Sequence, residues 1–283
     1  MQLIIKLLVV VFVTTSMATL GLTLHTREIV GPWRRFNLVL SLLFSNLVLV
    51  PAIAYCFTKV FVLDETFETG LLLLGMAAGA PFVPKLIEVA RADMALAVSM
   101  MLLQVLGTII VLPLILPRFI PGVQANALQI ATPLILQMLL PLIAGLVFRH
   151  FAPTWAKRIN PPLMLISQLS ALIVLIALFV INFQSMTAML GSGALLASLC
   201  FVIVAMLVGY FTSFANGESS VVQTIATGQR NIPAALVVAS NNPLPRDIVG
   251  MLMLTTFVGL IPIVGYAIFC GHTGTKRKTS SDS

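Results

Sequence analysis

What this chain has least of is charge. Only 9% of its residues are Asp, Glu, Lys or Arg, against roughly 25% in soluble domains. With 59% hydrophobic residues and a mean hydropathy of +1.08, that shortage excludes a soluble globular fold and implies an integral membrane protein. Cysteine is scarce too: Cys56, Cys200 and Cys270 stand singly in apolar runs and read as packing residues, without metal or redox spacing. None of the three histidines is paired at ligand spacing, so no metal site is expected. No His-x-x-x-His, Gly-x-Ser-x-Gly or paired aspartate occurs. An intramembrane enzyme therefore lacks its chemistry, and no cofactor is expected. The net charge of +7 lies mostly in loops, where it sets orientation rather than nucleic-acid binding.

What the chain does have is long apolar runs. They predict an all-α polytopic membrane protein of about nine spans, near 3–24, 36–57, 69–90, 94–117, 127–148, 162–182, 190–213, 219–240 and 246–270. The first run imitates a signal peptide through Lys6 and Ser16-Met17-Ala18, but its apolar character continues to Leu24, so it reads as a retained span. Arg27, Arg34 and Arg35, then Arg91, then Arg149, Lys157 and Arg158, and finally Lys276, Arg277 and Lys278 gather on every second connection. The intervening side holds Asp64, Glu65 and Glu68, with Arg118 and Arg246 as exceptions. This pattern predicts an N-terminus outside, a C-terminus inside and a short irregular cytoplasmic tail over 273–283. Short loops and no transit peptide lean towards a bacterial inner membrane.

One stretch breaks the apolar rule. Gly228-Gln229-Arg230-Asn231-Ile232-Pro233 is a polar, helix-breaking island inside the eighth run. Its side chains cannot face lipid, and an Arg at that depth costs on the order of 3 kcal/mol on insertion scales. Pro233 removes a backbone donor, so the helix breaks or kinks there. The third run contains an echo, Gly79-Ala80-Pro81-Phe82-Val83-Pro84. Both read Gly, four residues, Pro, and then a segment ending Val-Ala. Two runs five apart enter the membrane from opposite sides, which predicts an inverted repeat with two broken helices crossing at mid-depth. Gly79, Pro81, Pro84, Gly228 and Pro233 are the expected crossover residues, and the half-helix N-termini beside Arg230 are expected to favour an anion.

Further residues carry a resemblance. Ala90-Arg91-Ala92-Asp93-Met94-Ala95-Leu96-Ala97-Val98-Ser99 resembles the Ala-Arg-Gly-Asn/Asp-x-Ala-Leu-Ser-Val stretch of the bile acid:sodium symporter family. Gly21-Leu22-Thr23-Leu24 is similar to the Gly-Leu-x-Leu ending an early family helix, Asn46 lies five residues before Pro51 where the family often has Gln, and Gly228 and Asn231 match its second crossover. The resemblance covers nearly the whole chain and implies a single transporter domain, lacking the first helix of ten-helix members. It implies a core of spans 36–117 and 190–270 and a gating panel of spans 3–24 and 127–182.

The departures from that family bear on coupling. Where it places sodium ligands, this chain has Val83 and Pro84, then Ala97 and Met101, then Ala226 and Arg230. These side chains build no oxygen cage. The expectation is a secondary transporter of a small or amphipathic organic anion, not coupled to sodium because Arg230 stands in for the cation. Proton or counter-anion coupling remains open, with Glu88 as the candidate carboxylate. Arg230, Asn231, Gln229, Thr227, Lys85, Asn46 and Thr256 are the candidate substrate residues, each with a blander reading. Arg230 also fits as a brace paired with Glu88 or Glu218, Lys85 and Glu88 fit as a mutual pair three apart on one helical face, and Asn46, Thr255 and Thr256 fit as back-bonded helix residues. Sodium-coupled anion symport, and a non-transporting sensor or scaffold on the same fold, are the alternatives.

Overall fold

The computed structural model describes residues 2–23, 33, 35–61, 64–119, 127–188, 191, 193–213, 218–241 and 247–281. Among these the chain is helical and contains no strand. Helices α1 (Gln2–Thr23) and α2 (Phe36–Val60) are followed by the first broken pair, α3 (Glu65–Met76) and α4 (Val83–Ala90). Helix α5 (Met94–Phe119) comes next, then α6 over residues 127–151, α7 (Pro153–Ala188) and α8 (Ala194–Thr212). The second broken pair is α9 (Glu218–Gly228) and α10 (Ile232–Asn241), and α11 (Asp247–Ser281) closes the chain. Seven unbroken helices are long and apolar enough to cross a membrane. With the two broken pairs they account for the nine expected runs.

Local chemistry explains the irregularities. Helix α2 widens to a π turn at Ser45–Leu49 and α6 does so at Ile135–Leu139, each just before a proline, Pro51 and Pro141. A proline ring clashes with the carbonyl four residues back, and a widened turn relieves that clash. Asp93 caps α5 through its Oδ1, which accepts from the Leu96 N–H at 3.0 Å. Two boundaries differ from the sequence expectation. Helix α7 begins at Pro153 rather than near 162, which marks the start of the apolar run; Pro161 and Pro162 are its ninth and tenth residues, and the helix runs through them. Helix α11 continues to Ser281 through the stretch expected to be irregular, which holds no proline. Arg27, Arg34 and Arg246, used above to set orientation, lie outside the described residues.

Helices pack in two groups. α1 runs along α6 and α7, closely enough that a Cβ on Gly21 would lie 2.3 Å from the Leu142 carbonyl oxygen. The other group packs α8 on α9 and α11, α3 on α2 and α11, and α4 on α5, α9 and α11. The groups meet where α10 touches α1 and α6, and where α7 touches α11.

Candidate functional site

Both breaks are built by residues that end helices. In the first, α3 stops at Met76 and Ala77 turns to extended backbone (ψ 94°). Gly79 then takes φ +81°, and a Cβ there would lie 2.5 Å from the Val105 nitrogen and 2.9 Å from the Met101 oxygen. Only glycine tolerates both the conformation and the contact. Each second half-helix starts with a proline at its second residue, Pro84 in α4 and Pro233 in α10.

The breaks touch, and the second grips the first. The Asn231 backbone N–H donates to the Ala77 carbonyl at 2.8 Å. Its side-chain amide donates to the carbonyls of Ala78 (3.0 Å) and Gly79 (2.8 Å), while its Oδ1 caps α10 by accepting from the Ala234 N–H at 3.0 Å. Arg230, 3% exposed, reaches the end of α3. Its Nε donates to the Leu74 carbonyl at 3.2 Å and its Nη2 to the Gly75 carbonyl at 2.5 Å. These belong to the last turn of α3, where the dipole is negative and, apart from the Ala77 N–H shared by Leu73 and Leu74, carbonyls lack helical partners. Nη1 donates to Asn46 Oδ1 at 2.8 Å and to the Thr227 carbonyl at 3.4 Å. Asn46 completes the net by donating to Thr227 Oγ1 at 3.1 Å.

The expected residues therefore divide. Arg230, Asn231, Asn46 and Thr227 converge, but each is buried and bonded within the protein. The half-helix N-termini expected to cradle an anion are also occupied. In α10 the Ile232, Ala234 and Ala235 N–H groups donate to Arg230 O, Asn231 Oδ1 and Asn231 O. In α4 the Val83, Lys85 and Leu86 N–H groups donate to Ala80 and Phe82 carbonyls. Proline at the second position of each half-helix has no N–H to offer. Both ends are thus self-capped.

Lys85 and Glu88 stand apart. They bond each other at 2.6 Å on the outer face of α4, 59% and 58% exposed, because Val83, Leu86, Ile87 and Ala90 take its buried face. Glu88 does not pair with Arg230, and Glu218's side chain lies outside the described residues. Among the described residues no group of acids, histidines and cysteines is placed to hold a metal.

Beside Arg230 lies a narrow recess of about 10 Å³ lined by Gln229, Gly228, Thr255, Thr256 and the apolar Leu74, Val202, Ile232 and Ile263. Gln229 and Thr256 are the two expected substrate residues on its wall besides Arg230 itself. Thr256 Oγ1 donates back to the Leu252 carbonyl at 2.6 Å, as its blander reading held, and its methyl and oxygen lone pairs remain. A cavity of this size holds about one water, far below the ~300 Å³ at which pockets for drug-sized ligands start. In this conformation the recess is too small for an organic anion.

Sequence reading missed several supports. Thr108 on α5 clasps the first break, with Oγ1 accepting from the Ala78 N–H at 2.9 Å and donating to its carbonyl at 3.0 Å. Gln223 donates to Ser41 Oγ and Thr212 Oγ1, each at 3.1 Å, and Ser45 donates to Thr212 Oγ1 at 2.7 Å. A signal was present: Ser41/Ser45, Gln104/Thr108 and Gln223/Thr227 are polar pairs four apart in apolar helices, which places each pair on one face.

Comparison with known proteins adds identity at the level of family. A family model described as the Sodium Bile acid symporter family matches residues 8–189, taking in the first crossover and stopping before the second. A protein described as Probable sodium/metabolite cotransporter BASS1, chloroplastic, from Arabidopsis thaliana is 24% identical over 242 residues, covering 83% of this chain and 60% of that protein. Probable sodium/metabolite cotransporter BASS3, chloroplastic, from the same plant is 23% identical over 202 residues, covering 69% of this chain and 47% of that one. The chain thus spans about half to three-fifths of these curated relatives.

Proposed function

Because the chain belongs to the Sodium Bile acid symporter family, we propose that it is a secondary transporter of a small or amphipathic organic anion, working without sodium coupling. The observation that carries this is Arg230: a guanidinium 3% exposed, bonded only to neutral oxygens and bordering the recess. A buried charge without a counter-charge raises the local potential, and an anion entering the recess lowers it. In this reading Gln229 and Thr256 orient the anion and Arg230 supplies the field, while Asn231 and Asn46 hold Arg230 in place.

The same bonds support sodium independence. Leu74 and Gly75 carbonyls and Asn46 Oδ1 are oxygens suited to a monovalent cation, yet each already accepts a guanidinium N–H. A fixed cation occupies the space, so a mobile one does not fit beside it. The sodium-coupled reading has one structural feature in its favour: Gln104 Oε1 is buried without a partner while its Nε2 lies 3.5 Å from the Ala226 carbonyl. The printed names of the two relatives also favour it.

Alternating access follows if α1, α6 and α7 rock as a panel against the remaining helices. The two second half-helices support a conformation closed at one end. α10 is buried from Pro233 to Val238 and covered by α1 and α6. α4 instead exposes Phe82, Lys85, Glu88 and Val89. An ion pair on a half-helix inside the bilayer needs water beside it, so α4 lines an open vestibule, on the cytoplasmic side by the loop charges.

Thermal stability of the detergent-purified protein against a panel of organic anions, in NaCl and in KCl, tests this. Ligands that bind only the folded state raise stability by RT ln(1 + [L]/Kd). An anion-specific rise, equal in both salts, is expected. A rise that needs Na⁺ overturns sodium independence, and no rise with any anion overturns the substrate class.

A further inference from the structure

Helix α7 is too long for its task of crossing. Its 36 residues extend about 54 Å, against roughly 30 Å of hydrocarbon. The continuous apolar stretch begins at Pro162, so the preceding turns from Pro153 lie at headgroup level. These turns carry Trp155, Lys157 and Arg158 on the surface, while Ala156 is buried. Asn160 ties the segment to α1 by donating to Thr23 Oγ1 at 3.1 Å. The last turn of α6 adds Arg149, which donates to the Leu22 carbonyl, and the exposed His150. We propose that this corner, the end of α6 with the start of α7, binds the phosphate of an anionic phospholipid headgroup.

Three features fit that occupant. The corner's own stretch brings cations and no acid: the chain has no Asp or Glu from Met94 to Gly217. The Lys59–Glu68 and Lys85–Glu88 pairs lie elsewhere, and among the described residues no carboxylate is seen bonded to Lys157 or Arg158. The start of α7 has no acidic residue in its first turn, so its dipole adds to the same sign. Apolar rings flank the cations: Phe151 is 81% and Trp155 60% exposed, and Arg158 stacks with its Cζ 5.8 Å from the Trp155 ring centroid. A free phosphate uses the cations alone, whereas a lipid also uses the rings at the glycerol level. The inference concerns the panel's edge and is independent of what is transported.

The full-length protein in nanodiscs of mixed phosphatidylglycerol and phosphatidylcholine provides the test, with retained lipid read by native mass spectrometry. Wild type should hold phosphatidylglycerol preferentially. Lys157→Gln and Arg158→Gln should each weaken retention about five-fold, together on the order of 25-fold, and Arg158→Lys should largely restore it. Thermal melting checks that the variants remain folded. Equal retention by the double variant overturns the site. Displacement of the lipid by millimolar inorganic phosphate overturns the lipid as its occupant in favour of a free anion.

Discussion

The two crossovers share a backbone plan and differ in chemistry. Each runs from a half-helix through a short irregular stretch to a second half-helix with proline at its second residue. Between them, however, the first contributes acceptors and the second donors. The carbonyls of Leu74, Gly75, Ala77, Ala78 and Gly79 all receive hydrogen bonds from Arg230 or Asn231. Pro81 and Phe82, at the corresponding places of the first break, offer no side-chain donor. An inverted repeat can thus keep its geometric symmetry while the side-chain donors that join the two breaks come from one of them. The asymmetry locks the breaks together and leaves a buried positive charge at their junction.

That division of labour can be broken at either copy, and the effects should rank. Arg230→Ala removes the donor to Leu74, Gly75 and Asn46 and leaves the Gly75 and Asn46 oxygens buried and unpaired, while Leu74 keeps the Ala77 N–H. A loss of about 4 kcal/mol is expected, read as a fall in thermal midpoint and in the yield of monodisperse protein. Gly79→Ala attacks the acceptor copy through its backbone, where φ +81° and the Val105 contact both forbid a Cβ. About 3 kcal/mol is expected by the same readout.

Asn231→Ala takes away the α10 cap and two crossover bonds, for about 2 kcal/mol. Thr108→Val keeps shape but leaves the Ala78 N–H unpaired, at about 1–2 kcal/mol. Lys85→Gln should change stability by less than about 0.5 kcal/mol, since exposed pairs contribute little. Should it instead rival Asn231→Ala, α4 does not face water and the vestibule reading fails.

Legibility followed the range of the signal. The breaks at Gly79 and Gly228 were visible because glycine, proline and polar residues interrupt apolar runs locally. Arg230, Asn231, Asn46 and Thr227 were visible one by one, since a polar side chain inside a membrane is costly. Their assignment to each other rather than to a substrate was not. Nothing in the order of residues says that the α3 carbonyls lie within reach of Arg230, or that Asn231 caps its own helix. Lys85, expected among the substrate residues, instead bonds Glu88 on the exposed face of α4, away from Arg230, which its place beside Pro84 in sequence does not reveal. The start of α7 was missed because hydropathy marks where the apolar run begins, near Pro162, and not where the helix does.

Counterflow of a labelled organic anion in proteoliposomes, run in choline or potassium salts free of sodium, tests most directly whether the guanidinium serves as a permanent cation. The account predicts full exchange without sodium and its loss in Arg230→Gln. Exchange that appears only when Na⁺ is added, and survives in Arg230→Gln, would contradict it.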